Sequence, residues 1–147
     1  MLKNIAVVCT GNICRSPIAE GLLKARSGGS NINVVSAGTY ALSGQGADPH
    51  SIEVMAAKGY DISAHRAQQA TPALLQWADL VLTLDQTHSD WITSRLPHLR
   101  GRVFKVGKWR SNRDIADPYR LPRAAFEQAY EEISQDIDDW LTKLSKL

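Results

Sequence analysis

Asn4-Ile5-Ala6-Val7-Val8-Cys9-Thr10-Gly11-Asn12-Ile13-Cys14-Arg15-Ser16-Pro17 is the stretch on which the fold turns. Its first part, from Asn4 to Cys9, is apolar and contains the β-branched Ile5, Val7 and Val8. It stops abruptly at Thr10-Gly11-Asn12, the pattern of a buried strand running into a tight turn. From 15 to 25 the apolar positions Ile18, Ala19, Leu22 and Leu23 fall at helical spacing. Ser16-Pro17 suits the first turn of that helix, because proline lacks only an amide that is unpaired there anyway. Strand, loop and helix follow one another directly, with a cysteine where the strand stops.

Working outward, 33–36 (Asn33-Val34-Val35-Ser36) reads as a second strand closed by Ala37-Gly38, and a loop with Gly44 and Gly46 follows. Asp48-Pro49 places a capping carboxylate before a first-turn proline, and Ile52, Val54, Met55 and Ala56 predict a short helix ending near Gly59. Thr71-Pro72 repeats that signal ahead of Leu74, Leu75 and Trp77. Residues 78–83 read as a third buried strand, 90–96 as a helix and 102–106 as a fourth strand. From Arg123 to Leu144, apolar residues recur every three or four positions, which predicts a long amphipathic helix. Strands separated by helices, with little hairpin chemistry, predict a doubly wound α/β domain: a parallel sheet with helices on both faces. In such sheets ligands sit beyond the carboxyl ends of the strands, where the 9–16 loop lies.

A chain of 147 residues is of ordinary single-domain size, so one domain over 1–147 is expected. The net charge of +2, with 17 Lys and Arg scattered along the chain, argues against a nucleic-acid partner. The apolar runs are strand-length and far short of the roughly 20 residues that a membrane span needs. Met1-Leu2-Lys3-Asn4 leads into a strand with no long apolar leader, so the cytoplasm is the expected compartment. The cysteines, Cys9 and Cys14, are too few and too close for a disulfide framework.

The loop itself has legible chemistry. A cysteine between a strand end and a helix N-terminus sits where positive potential concentrates, which favours the nucleophilic thiolate. Gly11 and Asn12 tolerate left-handed backbone angles, as a tight anion-binding loop requires. Arg15 is spaced to close the ring and present its planar fork to two phosphoryl oxygens, and Ser16 to donate its hydroxyl to the sulfur. The bland alternative is a buried cysteine with a surface arginine. A zinc site would need further ligands, and the 4 histidines do not fall in ligand spacing.

The chain resembles the low-molecular-weight protein tyrosine phosphatases through Val7-Val8-Cys9-Thr10-Gly11-Asn12-Ile13-Cys14-Arg15-Ser16-Pro17 and Asp117-Pro118-Tyr119. Ser36-Ala37-Gly38-Thr39, Gly46-Ala47-Asp48-Pro49, Ala64-His65-Arg66-Ala67 and Asp79-Leu80-Val81-Leu82-Thr83 also match the family in order. It is most similar to the bacterial branch associated with tyrosine kinases of exopolysaccharide export. The resemblance implies a four-stranded sheet, no metal or other cofactor, and a phosphocysteine intermediate. Cys9 would be the nucleophile, and Thr10, Gly11, Asn12, Ile13, Cys14, Arg15 and Ser16 would hold the phosphate. Asp117 would be the general acid and then the base; Pro118, which stiffens the backbone beside it, is its only support from the residues themselves.

The resemblance further implies that Ser36 and His65 support the loop through Asn12, alongside Ser16. The residues alone do not single out His65 from His50, His88 or His98. Ile13, Tyr40, Leu42 and Tyr119 would line the substrate slot. Cys14 would either capture oxidised Cys9 as a disulfide or be a small buried loop residue. The implied substrate is a phosphotyrosine protein, an autophosphorylated kinase of exopolysaccharide export. Phosphate and other oxyanions would compete, and the chain would act as a monomer without inserting into a membrane.

Three other readings use the same loop. Arsenate reductase passes electrons through downstream cysteines, and this chain has none after Cys14. Protein-arginine phosphatases tend to carry threonine where Ile13 stands, and an apolar residue better suits an aromatic ring. A noncatalytic phosphotyrosine-binding module would need neither nucleophile nor acid.

Overall fold

The computed structural model describes residues 2–28 and 31–146. The strands are β1 (Asn4–Cys9), β2 (Asn33–Gly38), β3 (Leu80–Thr83) and β4 (Val103–Lys105). The helices are α1 (Arg15–Arg26), α2 (Pro49–Ala57), α3 (Pro72–Trp77), α4 (Gln86–Arg95) and α5 (Arg123–Leu144), with a 3-10 turn at Pro97–Arg102. All pairings are parallel, in the order β2-β1-β3-β4, so the doubly wound α/β expectation holds.

Alternation along β1 divides the core in two. Ile5, Val7 and Cys9 pack with Ile18 and Leu22 of α1, Met55 of α2 and Phe126, Ile133 and Ile137 of α5. Ala6 and Val8 face the other way, onto Leu75, Ile92 and Leu99. Each fully buried large aliphatic side chain contributes about 1.5–3 kcal/mol, so a central strand buried on both faces is the stiffest element available to carry a loop. The chain leaves β1 towards β2 and later returns on β1's other side as β3. The loops after β1 and β3 therefore part at the switch point of the sheet, where a crevice forms.

Several element ends differ from the sequence reading. The fourth helix starts at Gln86, not at 90, because the Asp85 side chain caps it by accepting from the Thr87 amide at 2.9 Å. β3 begins at Leu80, and Asp79 ahead of it ties to the start of β1: its amide donates to Asn4 O at 2.7 Å and its carboxylate accepts from the amides of Lys3 (3.0 Å) and Asn4 (2.9 Å). β2 runs on to Gly38, which pairs with Cys9. β4 is shorter than 102–106 because the 3-10 turn takes Arg102.

The segment between β4 and α5 is irregular but tied down. Val106 N–H donates to Thr83 O and Ile115 N–H to Leu84 O, while Asp114 accepts from Lys105 Nζ at 2.9 Å and from the Gln86 amide at 3.1 Å. From α5, Asp136 pairs with Arg113 at 2.8 Å, Asp139 with Arg110 at 2.8 Å, and Trp140 donates to Val106 O at 3.1 Å. Burial pushes the Asp136 carboxyl up, and the Arg113 guanidinium only partly offsets this. No helix among the described residues is long and apolar enough to cross a membrane.

Gly38 lies where the loop after β1 crosses β2. A Cβ there would stand 2.3 Å from Thr10 O and 3.0 Å from Asn12 N, both backbone atoms that cannot swing aside. Gly38→Ala is expected to destabilise the protein by about 2 kcal/mol in urea unfolding, as overpacking against fixed backbone does. Unchanged stability would show that the loop backbone moves freely.

Candidate active site

The loop from Cys9 to Cys14 is held by its carbonyl edge. Cys9 O accepts from Thr39 N, Thr10 O from Tyr40 N, Gly11 O from Leu42 N and Ile13 O from Asp48 N, at 2.8–3.0 Å. Asn12 O faces His65 Nε2 at 2.6 Å, and Cys14 O accepts from Ser51 Oγ at 3.1 Å. With its carbonyls tied outward to the framework, the loop turns its amide edge inward, making a concavity that suits an anion. Behind it α1 opens with no side-chain cap and no acidic residue in its first turn, so its N-terminal amides add to that potential.

Asn12 makes the curvature possible. It has φ 59° and is fully buried. Its Nδ2 donates to Ser16 Oγ at 2.7 Å and Ser36 Oγ at 2.9 Å, while Oδ1 accepts from the Gln68 amide at 2.9 Å. These bonds direct the two serine hydroxyls. Ser36, already an acceptor, donates to Glu20 Oε1 at 2.5 Å. Ser16 sits 2.9 Å from Cys9 Sγ with its own proton uncommitted, so it donates to the sulfur when Cys9 is a thiolate. His65, facing a carbonyl through Nε2, carries its proton there, with Nδ1 3.8 Å from Glu20.

Arg15 is buried, yet only one end of its guanidinium is engaged. Nη1 donates to Asp85 Oδ2 at 2.7 Å and to Ile115 O at 2.8 Å. Nη2 lies 3.7 Å from Asp117 Oδ2, too far for a hydrogen bond, and Nε is buried without a partner. The edge formed by Nε and Nη2 is the fork that recognises oxyanions bidentately. Burial raises the Asp85 carboxyl, but bonds from the Thr87 hydroxyl and Arg15 outweigh it and hold the group below the usual carboxylate range.

Asp117 comes from the segment before α5 and is half exposed; its Oδ1 accepts from the Tyr119 amide at 3.1 Å across Pro118. It lines a cavity of about 180 Å³ together with Cys9, Thr10, Gly11, Ile13, Cys14, Arg15, Tyr40, Leu42 and Tyr119. Asn12, within the loop, and Ser16, Ser36 and His65, which brace it, do not line the cavity. Cys14 Sγ is 3.9 Å from Asp48 Oδ2, and burial, then Asp48 and Cys9, pushes its thiol up. Both cysteines are free thiols. The arrangement can hold a tetrahedral oxyanion over a buried sulfur, with a carboxylate at the mouth and apolar walls beyond it.

Four contributors escaped the sequence reading: Glu20, Gln68, Asp85 and His88. His88 is buried; its Nδ1 accepts from the Asp85 amide at 3.2 Å and its Nε2 faces Thr10 Oγ1 at 2.9 Å. Asp85-Gln86-Thr87-His88 was detectable as a capping box directly behind a strand, since a polar residue at the third helical position reaches back to the cap amide. Glu20 and Gln68 carry no comparable local signal.

A family model described as low molecular weight phosphotyrosine protein phosphatase matches residues 4–147. A probable low molecular weight protein-tyrosine-phosphatase, EpsP of Ralstonia nicotianae, is 49% identical over 147 residues, covering 100% of this chain and 99% of the relative. Wzb of Salmonella typhimurium, a low molecular weight protein-tyrosine-phosphatase, is 40% identical over 145 residues, covering 99% and 96%. The solved structure of Vibrio vulnificus Wzb in complex with benzylphosphonate superimposes with TM-score 0.92 at 37% identity, over 97% of this chain and 99% of that one. The YwlE arginine phosphatase from Geobacillus stearothermophilus reaches 0.91 at 34% identity, over 98% and 94%.

His88 predicts an acid instability. Burial pushes its imidazole down to about 4 from the ordinary 6.5. Between these values the unfolded chain binds a proton that the folded chain does not, so stability is lost as pH falls through that window. The full loss is on the order of 3 kcal/mol. Urea midpoints of wild type and His88→Gln should diverge on acidification, wild type losing more; parallel curves would mean that His88 titrates normally.

Proposed function

The chain belongs to the low molecular weight phosphotyrosine protein phosphatase family, and we propose that it hydrolyses phosphotyrosine through a phosphocysteine on Cys9. Its likeness to EpsP and Wzb makes it an enzyme of the protein-tyrosine-phosphatase kind. The observation that carries the reading is the free Nε–Nη2 edge of buried Arg15 beside Cys9, at a cavity that Asp117 also lines.

In the proposed first step the Cys9 thiolate, stabilised by the Ser16 hydroxyl and the α1 N-terminus, attacks phosphorus. The S–P bond forms as the bond from phosphorus to the tyrosyl oxygen breaks. Arg15 and the inward amides hold the three equatorial oxygens, so catalysis is mainly positioning and charge stabilisation. Asp117 gives its proton to the departing phenolate. In the second step the Asp117 carboxylate takes a proton from water, whose oxygen attacks phosphorus and releases the thiolate and inorganic phosphate. Ile13, Tyr40, Leu42 and Tyr119 supply apolar walls suited to the tyrosyl ring, which favours phosphotyrosine over phosphoarginine with its polar guanidinium; the fold alone, shared with an arginine phosphatase, does not separate them.

The proposal extends to the setting. The chain acts as one domain over 1–147, a cytoplasmic monomer, on an autophosphorylated tyrosine kinase of exopolysaccharide export, and phosphate and other oxyanions compete for the loop. Peroxide would oxidise Cys9 to the sulfenic acid, and the Cys14 thiol would condense with it, forming a disulfide and releasing water. The raised Cys14 thiol makes that condensation slow, because the thiolate is the reactive form.

Cys9→Ser is expected to abolish turnover of an aryl phosphate, and Asp117→Asn to lower kcat by about 10²-fold or more, as loss of a general acid does. Phosphotyrosine, phosphoserine and phosphoarginine peptides assayed side by side test the specificity; turnover surviving in Cys9→Ser, or a preference for phosphoarginine, would overturn the reading.

Asn12→Ala removes the left-handed anchor and frees both serine hydroxyls. Its inhibition constant for inorganic phosphate should weaken at least about tenfold, equivalent to about 1.4 kcal/mol of loop preorganisation. An unchanged constant would show that the carbonyl tethers alone shape the loop.

A further inference from the structure

We propose that His88 is a positioning residue for the phosphatase reaction, tying the nucleophile's loop and the arginine clamp to a single rigid element, the first turn of α4. The inference rests on the reading of Cys9 and Arg15 as the reacting centre. It concerns a residue that touches neither the cavity nor the reacting atoms.

The geometry starts at Asp85, the cap of α4. Its Oδ1 accepts from the Thr87 amide and hydroxyl, and its Oδ2 from Arg15 Nη1. One carboxylate thus closes a helix end and sets the direction of the clamp. The Asp85 backbone amide is taken by His88 Nδ1. A ring nitrogen that accepts carries no proton, so the proton of neutral His88 is on Nε2, which faces Thr10 Oγ1 at 2.9 Å and donates to it. Thr10 is the residue next to Cys9 and lines the cavity.

Two sides of the anion ring are thereby indexed to the same turn. Arg15 reaches it through the Asp85 carboxylate, and the loop reaches it through Thr10 and the imidazole. α4 is held in turn by Ile92, buried in the second core. A clamp and a nucleophile carried on separate elements would drift independently, and displacements of about 1 Å cost about 10²-fold in rate. His88 removes that freedom.

Only the neutral ring makes both bonds. Protonation puts a hydrogen on Nδ1, opposite the Asp85 amide that donates to it, and breaks the link. The groups facing the ring are Asp85, Asp114 and Asp117, which favour the proton, and Arg15, which opposes it; burial decides, and the ring stays neutral down to about 4. The connection therefore holds throughout the neutral range and fails in acid.

The test compares His88→Leu, His88→Gln and Thr10→Val with wild type and Cys9→Ser on an aryl phosphate. Glutamine can accept from the cap amide and donate to Thr10, and it does not titrate. His88→Leu is expected to lower kcat about tenfold or more with KM changed less than about threefold, and His88→Gln to recover most of the loss. Thr10→Val, which removes the partner without touching α4, should reproduce part of the fall in kcat if His88→Leu does not fold. The ratio of wild-type to His88→Gln kcat should drop as pH approaches about 4, because only the histidine titrates. A folded His88→Leu with wild-type kcat, or a His88→Gln no better than His88→Leu, overturns the role of His88. Turnover by Cys9→Ser would instead overturn the reading beneath it.

Discussion

Each carbonyl from Cys9 to Cys14 is bound by a donor outside the loop, and the rest of the site depends on that constraint. A backbone that gathers its amides toward one point crowds like dipoles, and it holds only where the opposite edge is fully satisfied. The donors come from the segment after β2, from Asp48 at the start of α2, from Ser51 and from His65. The framework of the first half of the chain thus exists, in functional terms, to pull one loop open from behind. Asn12 is the point of greatest curvature. Its buried side chain has every polar atom paired, so its left-handed backbone is stabilised by a network and not by chance packing.

Arg15 presents the complementary problem, a buried charge. A guanidinium removed from water is tolerable only with a well-placed partner, and Asp85 supplies one at 2.7 Å. The pairing is deliberately incomplete. A second carboxylate on Nε and Nη2 would leave a net negative charge and fill the very edge that an oxyanion needs. Leaving Nε without a partner costs stability, of the order of 1–3 kcal/mol for a buried donor, and is the kind of local deficit that functional sites carry.

The long α5 contributes no side chain to the cavity, yet the position of Asp117 depends on it. Arg110 and Arg113 reach from the irregular segment to Asp139 and Asp136, and Trp140 holds the end of β4. On the other side Asp114 and Ile115 register the same segment against the end of β3. A half-exposed carboxylate on a segment pinned at both flanks keeps access to solvent without freedom to wander.

From the residues alone, the α/β class, the strand-loop-helix junction and the pair Cys9 and Arg15 were legible, because period, turn chemistry and charge act over a few neighbouring residues. The long amphipathic α5 was legible for the same reason. Asp117 came mainly through resemblance and the roles of Ser36 and His65 wholly so, since each reaches the loop only through tertiary folding: Ser36 and His65 lie 24 and 53 positions from Asn12, and Asp117 follows β4. Asp85 and His88 lie ahead of the helix that the pattern predicts from 90, and a cap five residues before that start reads as loop. What only the tertiary structure decided is which groups meet at the switch point, that Arg15 keeps one edge free, and that Thr10 and Arg15 share an anchor in α4. Those facts depend on the strand order β2-β1-β3-β4, which brings the ends of β1 and β3 together, and no local pattern in a chain encodes the distance between residues 70 or 100 positions apart.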